Sequence, residues 1–252
     1  VSGARLLREP TQPMVFNIRA SYEQEIDRII RYLVRYGHSD IAVVVQQDSF
    51  GRDGQRASLR ALARYGLKPT LLATVQRNSR HTEAVAHRVA LAQPDAVLII
   101  SAYTTVANFI ENLRRQGSDA GVMSVSFVGS RSLSDALPAS LRNGTGISQV
   151  VPFPWNARVP VVKENQNIIR SSTGGSRYGF SSLEGFLAAK ILVQALEKAG
   201  PQPIRAGLIR ALESMGNHDL GGFRIHFSPN NHAGSDFVQL AFLMGSSGAF
   251  IH

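Results

Sequence analysis

The chain contains no cysteine, which removes disulfides, thiolate metal sites and cysteine nucleophiles at a stroke. That absence is compatible with an oxidising compartment. Acid is also in short supply: 18 Asp and Glu stand against 27 Lys and Arg, a formal net charge of +9. A basic balance raises a nucleic-acid reading. The arginines are scattered, however, with Arg56, Arg60 and Arg64 on one predicted helix and Arg114 and Arg115 on another. A nucleic-acid groove would interleave such charges with exposed aromatics. The excess therefore reads as a solvated surface that keeps the chain soluble, and no nucleic-acid partner is expected. Long hydrophobic runs are missing too. None approaches the ~20 residues of a membrane span, so the chain is not expected to cross a membrane itself.

Catalytic signatures are equally scarce. The seven histidines lack zincin spacing: His81 and His87 are six apart, and His226 and His232 straddle a turn. There is no Gly-x-Ser-x-Gly elbow, and Gly174-Gly175-Ser176 reads as a loop rather than a phosphate cradle. Gly51-Arg-Asp-Gly54 lacks the glycine spacing of a dinucleotide fingerprint. Neither an acid/base pair nor a nucleophile with its base can be assembled. The expectation is a protein without catalytic residues, bound metal or cofactor.

What is present is a repeating strand–loop–helix pattern. Ile41-Ala-Val-Val-Val is a buried strand that stops at polar Gln46-Gln47-Asp48, followed by a turn bracketed by Gly51 and Gly54. Before it, a helix opens at Ser21 and Glu23 and carries Ile26, Ile29, Ile30, Leu33 and Val34 at helical spacing, ending at Gly37. Further along, helices are predicted over 53–65, 82–92 and from about Val106 to Gly117. Strands are predicted over 70–75, 96–100 and 122–128. The residues Ser101-Ala102-Tyr103-Thr104 form a loop. Strands alternating with helices imply right-handed crossovers and a doubly wound, mainly parallel sheet. In such sheets ligands sit beyond the carboxyl ends of the strands.

The pattern changes near Gly144. A strand at 147–151 and the proline-stiffened Pro152-Phe-Pro154 lead into three helices, at about 159–170, 181–199 and 204–215, with no obvious strands between them. Strands at 223–227 and 236–243 follow. Three helices without strands need a sheet to cover, and counting elements alone predicts that much of that sheet is missing here.

Ordered stretches along the chain resemble one family. They are Phe16-Asn-Ile-Arg-Ala-Ser-Tyr22, Gln47-Asp-Ser-Phe-Gly-Arg-Asp-Gly54, Pro94-Asp-Ala-Val-Leu98, Ser126-Phe-Val-Gly-Ser130, Gln149-Val-Val-Pro152, Ser182-Leu-Glu-Gly185, Asp219-Leu-Gly-Gly-Phe223 and Phe227-Ser-Pro229. Together the chain resembles the periplasmic solute-binding proteins of ABC transporters, of the branched-chain (leucine/isoleucine/valine) amino-acid type. The resemblance implies the type I periplasmic-binding-protein fold, an α/β architecture of two three-layer lobes with doubly wound, mainly parallel sheets and the ligand enclosed between them. Mapped onto it, residues 1–16 are the end of lobe 1 and the first crossing, 17–148 are lobe 2, 149–221 the returning helices of lobe 1, and 222–252 the tail of lobe 2. Lobe 2 is then complete and lobe 1 lacks its N-terminal half, about a hundred residues, the size of a βαβαβ unit. The opening Val1-Ser2-Gly3-Ala4-Arg5 accordingly reads as the interior of a longer sequence, with the remaining strands cut away or supplied by another piece.

The resemblance also implies a site. Phe50 would pack its ring on the ligand, or else anchor a helix start in the core. Tyr103 would supply a wall and one hydroxyl. Ser126, at a strand end, would make one hydrogen bond, and Ser2 would offer donors to a carboxylate. Amino-acid-binding members carry an acid at the position of Ser126 to pair with the ligand's ammonium. A serine there implies a ligand without an α-amino group, a small organic or aromatic carboxylate, because an unpaired buried ammonium is costly. Glu184 is read as support for a helix N-terminus rather than an ammonium partner. The implied partners are a small-molecule ligand, an amino acid or organic carboxylate, and the membrane permease of an importer; the implied location is periplasmic. Sensing modules of kinases, chemoreceptors or cyclases use the same fold and are the alternative, and a repressor effector domain is a third.

Overall fold

The computed structural model describes residues 2–173, 179–245 and 250–251. The chain divides into two compact units: residues 2–21 with 150–238, and residues 22–149 with 239–251. The sequence reading placed the corresponding boundaries after 16, 148 and 221. The last differs most, and the reason is local. Asn17 exchanges backbone bonds with the 232–234 segment, donating to the His232 carbonyl at 2.8 Å and accepting from the Gly234 amide at 2.7 Å. Those bonds tie residues up to Val238 to the N-terminal segment.

The second unit is a doubly wound sheet. Its strands are β1 (Ile41–Gln46), β2 (Leu72–Val75), β3 (Ala96–Ile100), β4 (Gly121–Ser124), β5 (Thr145–Gln149), together with β8 (Gln239–Leu243) and the short β9 (Phe250–Ile251). The order is β2-β1-β3-β4-β5-β8-β9; the first five run parallel and the last two are antiparallel to their neighbours. Every residue of β1, β3 and β5 is buried, as a parallel sheet covered on both faces requires. Side chains alternate between two cores. Ile41, Val43 and Val45 pack under α1 (Tyr22–Arg35) and α2 (Ser49–Ala63), with Ile26, Ile29, Ile30, Leu33 and Leu62. Ala42 and Val44 face the other way, toward α3 (Glu83–Leu91), α4 (Tyr103–Arg115) and α5 (Ser130–Ala136), through Val89, Phe109, Ile110 and Leu133. The winding direction reverses between β1 and β3, the switch point at which such sheets leave a crevice.

The first unit holds α6 (Pro160–Thr173), α7 (Phe180–Ala199), α8 (Arg205–Glu213) and a two-stranded hairpin of β6 (Gly216–Asp219) and β7 (Arg224–Phe227). The hairpin turns on Gly221 and Gly222, both at positive φ, whose amides donate to the Asp219 carboxylate at 2.9 and 2.7 Å. A side chain at either position would be strained. Leu183, Leu187 and Ile191 bury one stripe of α7, while Leu192, Val193 and Leu196 remain exposed, as does Ile168 of α6. The stretch Gly174–Ser176, read from the sequence as a loop, lies outside the described residues.

Of the element boundaries that differ from the sequence reading, three lie at the carboxyl edge of the sheet. Helix α2 begins at Ser49, so the supposed glycine-bracketed turn is its first turn and a half. Tyr103 opens α4 instead of lying in a loop. The strand predicted through Val128 ends at Ser124, and Ser126–Val128 form a 3-10 turn.

Candidate ligand-binding face

At the switch point the exits of β1 and β3 are joined by polar side chains. Ser101, just past β3, donates from its hydroxyl to the buried Gln46 side chain at 3.1 Å. The Gln46 amide in turn donates to Asp48 at 2.6 Å. Asp48 caps α2, accepting from the Gly51 amide at 3.0 Å. Gly51 is required by crowding rather than by dihedral angle, since a Cβ there would lie 1.6 Å from the Gln46 carbonyl oxygen. The helix thus starts directly against the strand it follows, and its N-terminus is fixed at the carboxyl edge of the sheet.

Burial alone would raise the Asp48 carboxyl, but the Gly51 amide, the Gln46 side chain and the Arg77 charge outweigh it and hold it below the usual carboxylate range. A folded value below the unfolded one, about 3.9, gives stability that is complete above that pH and fades as pH falls toward the folded value. Asp48→Asn retains the cap but not the titration, so its urea midpoint is expected to lose less than wild type between pH 5 and pH 3. Asp48→Ala loses the cap as well, about 1 kcal/mol at pH 7.

Beside this network stands a cluster of three rings. Phe50, in the first turn of α2, meets Tyr22 of α1 at 5.0 Å between centroids and Phe127 at 4.6 Å; Tyr22 and Phe127 are 6.2 Å apart, edge to face. Phe127 is 44% exposed, and so is Tyr103 at the start of α4. Ser126 precedes Phe127 in the 3-10 turn after β4. Phe50 and Ser126 are therefore brought to one neighbourhood through Phe127, and Tyr103 stands at the exit of the adjacent strand β3.

The sequence reading of Ser126 needs correction in one respect. No acid occupies position 126, but one reaches it from α1: the carboxylate of Glu25, fully buried, accepts from the Ser126 amide at 2.8 Å, the Ser126 hydroxyl at 3.1 Å and the Ser148 hydroxyl at 2.6 Å. A carboxyl group therefore adjoins Ser126, although the residue at 126 is itself a serine. Nothing local in the sequence announces it, because Glu25 sits 101 residues from its partner.

Ser2 belongs to the first unit. Its hydroxyl accepts from the Ala4 amide at 3.2 Å, and its carbonyl accepts from Arg8 at 3.0 Å. Arg8 also donates to the Arg19 carbonyl at 2.6 Å. Glu184, near the start of α7, meets the Arg19 guanidinium at 3.3 Å, and Arg19 is only 5% exposed. His87 pairs with Gln116 and His226 with Asn217, while His232 lies between the Gln12 carbonyl and Glu213, stacked on Phe16. Among the described residues no three His, Asp or Glu side chains are grouped to hold a metal ion. None of their helices is long and apolar enough to cross a membrane.

Comparison with known proteins places this geometry. No curated protein sequence matches the chain. Among solved structures, a possible leucine/isoleucine/valine-binding protein from Rhodopirellula baltica SH 1 superposes with a TM-score of 0.91 at 29% identity, over 100% of this chain and 69% of that one. A substrate-binding periplasmic protein from Ralstonia solanacearum gives 0.88 at 30% identity, over 99% of this chain and 70% of its own. A branched-chain amino acid ABC transporter protein from Thermus thermophilus with bound valine shares the fold, with a TM-score of 0.78 at 19% identity, over 94% of this chain and 65% of that chain. The family model described as periplasmic binding protein matches residues 1–244. The fold, the switch-point edge and this match agree, and the chain belongs to the periplasmic binding protein family.

Proposed function

We propose that the protein is the extracytoplasmic, periplasmic solute-binding component of an ABC importer, which captures a small carboxylate-bearing ligand by hinge closure and delivers it to a membrane permease. Within that class the favoured ligand is an aromatic carboxylate. The observation that carries this choice is the ring cluster at the carboxyl edge of the sheet: Phe50 and Tyr22 back a Phe127 ring left 44% exposed, and Tyr103 presents a second half-exposed ring. Exposed rings braced from behind keep their contact surface at little entropic cost and stack well on a planar ligand. Phe50, Tyr103, Ser126 and Ser2 are the contacts proposed from family resemblance, and Phe127 is added here.

Calorimetry with matched pairs tests the proposal: 3-phenylpropionate against 4-methylpentanoate, and phenylalanine against leucine. An aryl acid is expected to bind at least tenfold tighter than its aliphatic counterpart, and Phe127→Ala to remove most of that advantage. Tight leucine or valine binding with no aryl-acid binding overturns the aromatic choice.

A further inference from the structure

Glu25 is fully buried in the first turns of a helix and accepts three hydrogen bonds from two separate chain segments, the Ser126 turn and β5. A buried carboxylate is tolerated only when such donors surround it. Three residues earlier, on the same face of α1, Tyr22 holds its ring against Phe50 and Phe127. One turn of α1 thus grips the Ser126–Val128 turn twice, by its backbone and hydroxyl through Glu25 and by its ring through Tyr22.

We infer that Glu25 is a positioning residue: its carboxylate fixes the Ser126–Val128 turn between α1 and β5, and so holds the exposed Phe127 ring in the place where an aromatic ligand stacks. The inference rests on the ligand face proposed above. Glutamine can substitute, because its amide oxygen can take the Ser126 N–H and the Ser148 hydroxyl. Its amide nitrogen can donate to Ser126 Oγ after that hydroxyl rotates. Alanine cannot, and leaves the half-buried Ser126 amide and hydroxyl and the buried Ser148 hydroxyl without this partner.

The test is amide hydrogen exchange, residue by residue by NMR, combined with titration of 3-phenylpropionate. Glu25→Ala is expected to speed exchange at Ser126 at least tenfold while Val43–Val45 of β1 exchange as in wild type. Glu25→Gln should stay within threefold at both places. The aryl acid should bind at least tenfold more weakly to Glu25→Ala and within threefold of wild type to Glu25→Gln. If Glu25→Ala fails to fold, Glu25→Asp takes its place; it keeps the charge but shortens the reach by one methylene, and the same loss at Ser126 is expected. Unchanged exchange at Ser126 in the shortened variants overturns the inference, and so does a Gln variant as defective as Ala. Should wild type bind no aryl acid at all, the ligand proposal fails, while the exchange measurement still decides the role of Glu25.

Discussion

Gly51→Ala is expected to destabilise the protein by about 3 kcal/mol, the upper end of what a single overpacked methyl costs. The added Cβ would sit 1.6 Å from the Gln46 carbonyl oxygen and 2.6 Å from its carbon. No rotamer change relieves a clash between two backbones. Either the start of α2 lifts away from β1 or the end of β1 bends, and both paths break the chain from Ser101 through Gln46 to Asp48. Urea unfolding should show a lower midpoint with an unchanged slope, and aryl-acid affinity should fall with it because Phe50 is only one residue from the displaced position. A loss under about 1 kcal/mol would mean that the helix is not seated on the strand as described. The neighbouring Gly54→Ala is a useful comparison. Its Cβ would meet the Ile100 side chain at 2.6 Å, a flexible neighbour that can move aside, so the penalty should be smaller.

The second large effect is expected from Phe109→Ala. Phe109 is among the bulkiest fully buried side chains and lies between α4 and the sheet, with Val97, Ile99 and Val122 in the same core. Its truncation should cost about 3–5 kcal/mol, the transfer of the ring plus the cavity it leaves. Phe127→Ala removes the same atoms from a half-exposed place and should cost under about 1 kcal/mol. The two variants separate the core from the proposed ligand face: one should lose stability and the other aryl-acid binding. Equal loss of stability in both would place Phe127 among the structural residues.

Much of this architecture is legible in the sequence where burial is two-sided. Ile41–Val45 and Ala96–Ile100 are continuous apolar runs because helices cover both faces of the sheet, and they fall where expected. Elements of other composition stay hidden. Helix α5, Ser130–Ala136, buries Leu133 as its only large apolar side chain, too little for a helical apolar stripe to show. Strand β6, Gly216-Asn-His-Asp, has no apolar residue and exists by pairing with β7. Glycine misleads at Gly51 and Gly54, where it serves close contact inside a helix and not a turn. For the ligand face, family motifs point to Phe50, Tyr103 and Ser126. Tyr22 and Phe127 lie within those motifs but are given no role by them, and Glu25 lies outside them; the meeting of all three depends on tertiary contacts between residues far apart in sequence.

Strand β8 has a consequence in time as well as in space. It pairs with β5 through Gly146 and Phe242, Ile147 and Ala241, Ser148 and Leu240, although the two strands are separated by the whole of α6, α7, α8 and the hairpin. Until β8 docks, the five parallel strands leave the outer edge of β5 with unpaired amides and carbonyls. Such an edge is a template for pairing with other chains, and contacts this distant in sequence form late. Closing that edge therefore waits on a segment some ninety residues downstream, and β8 is the element that removes the template.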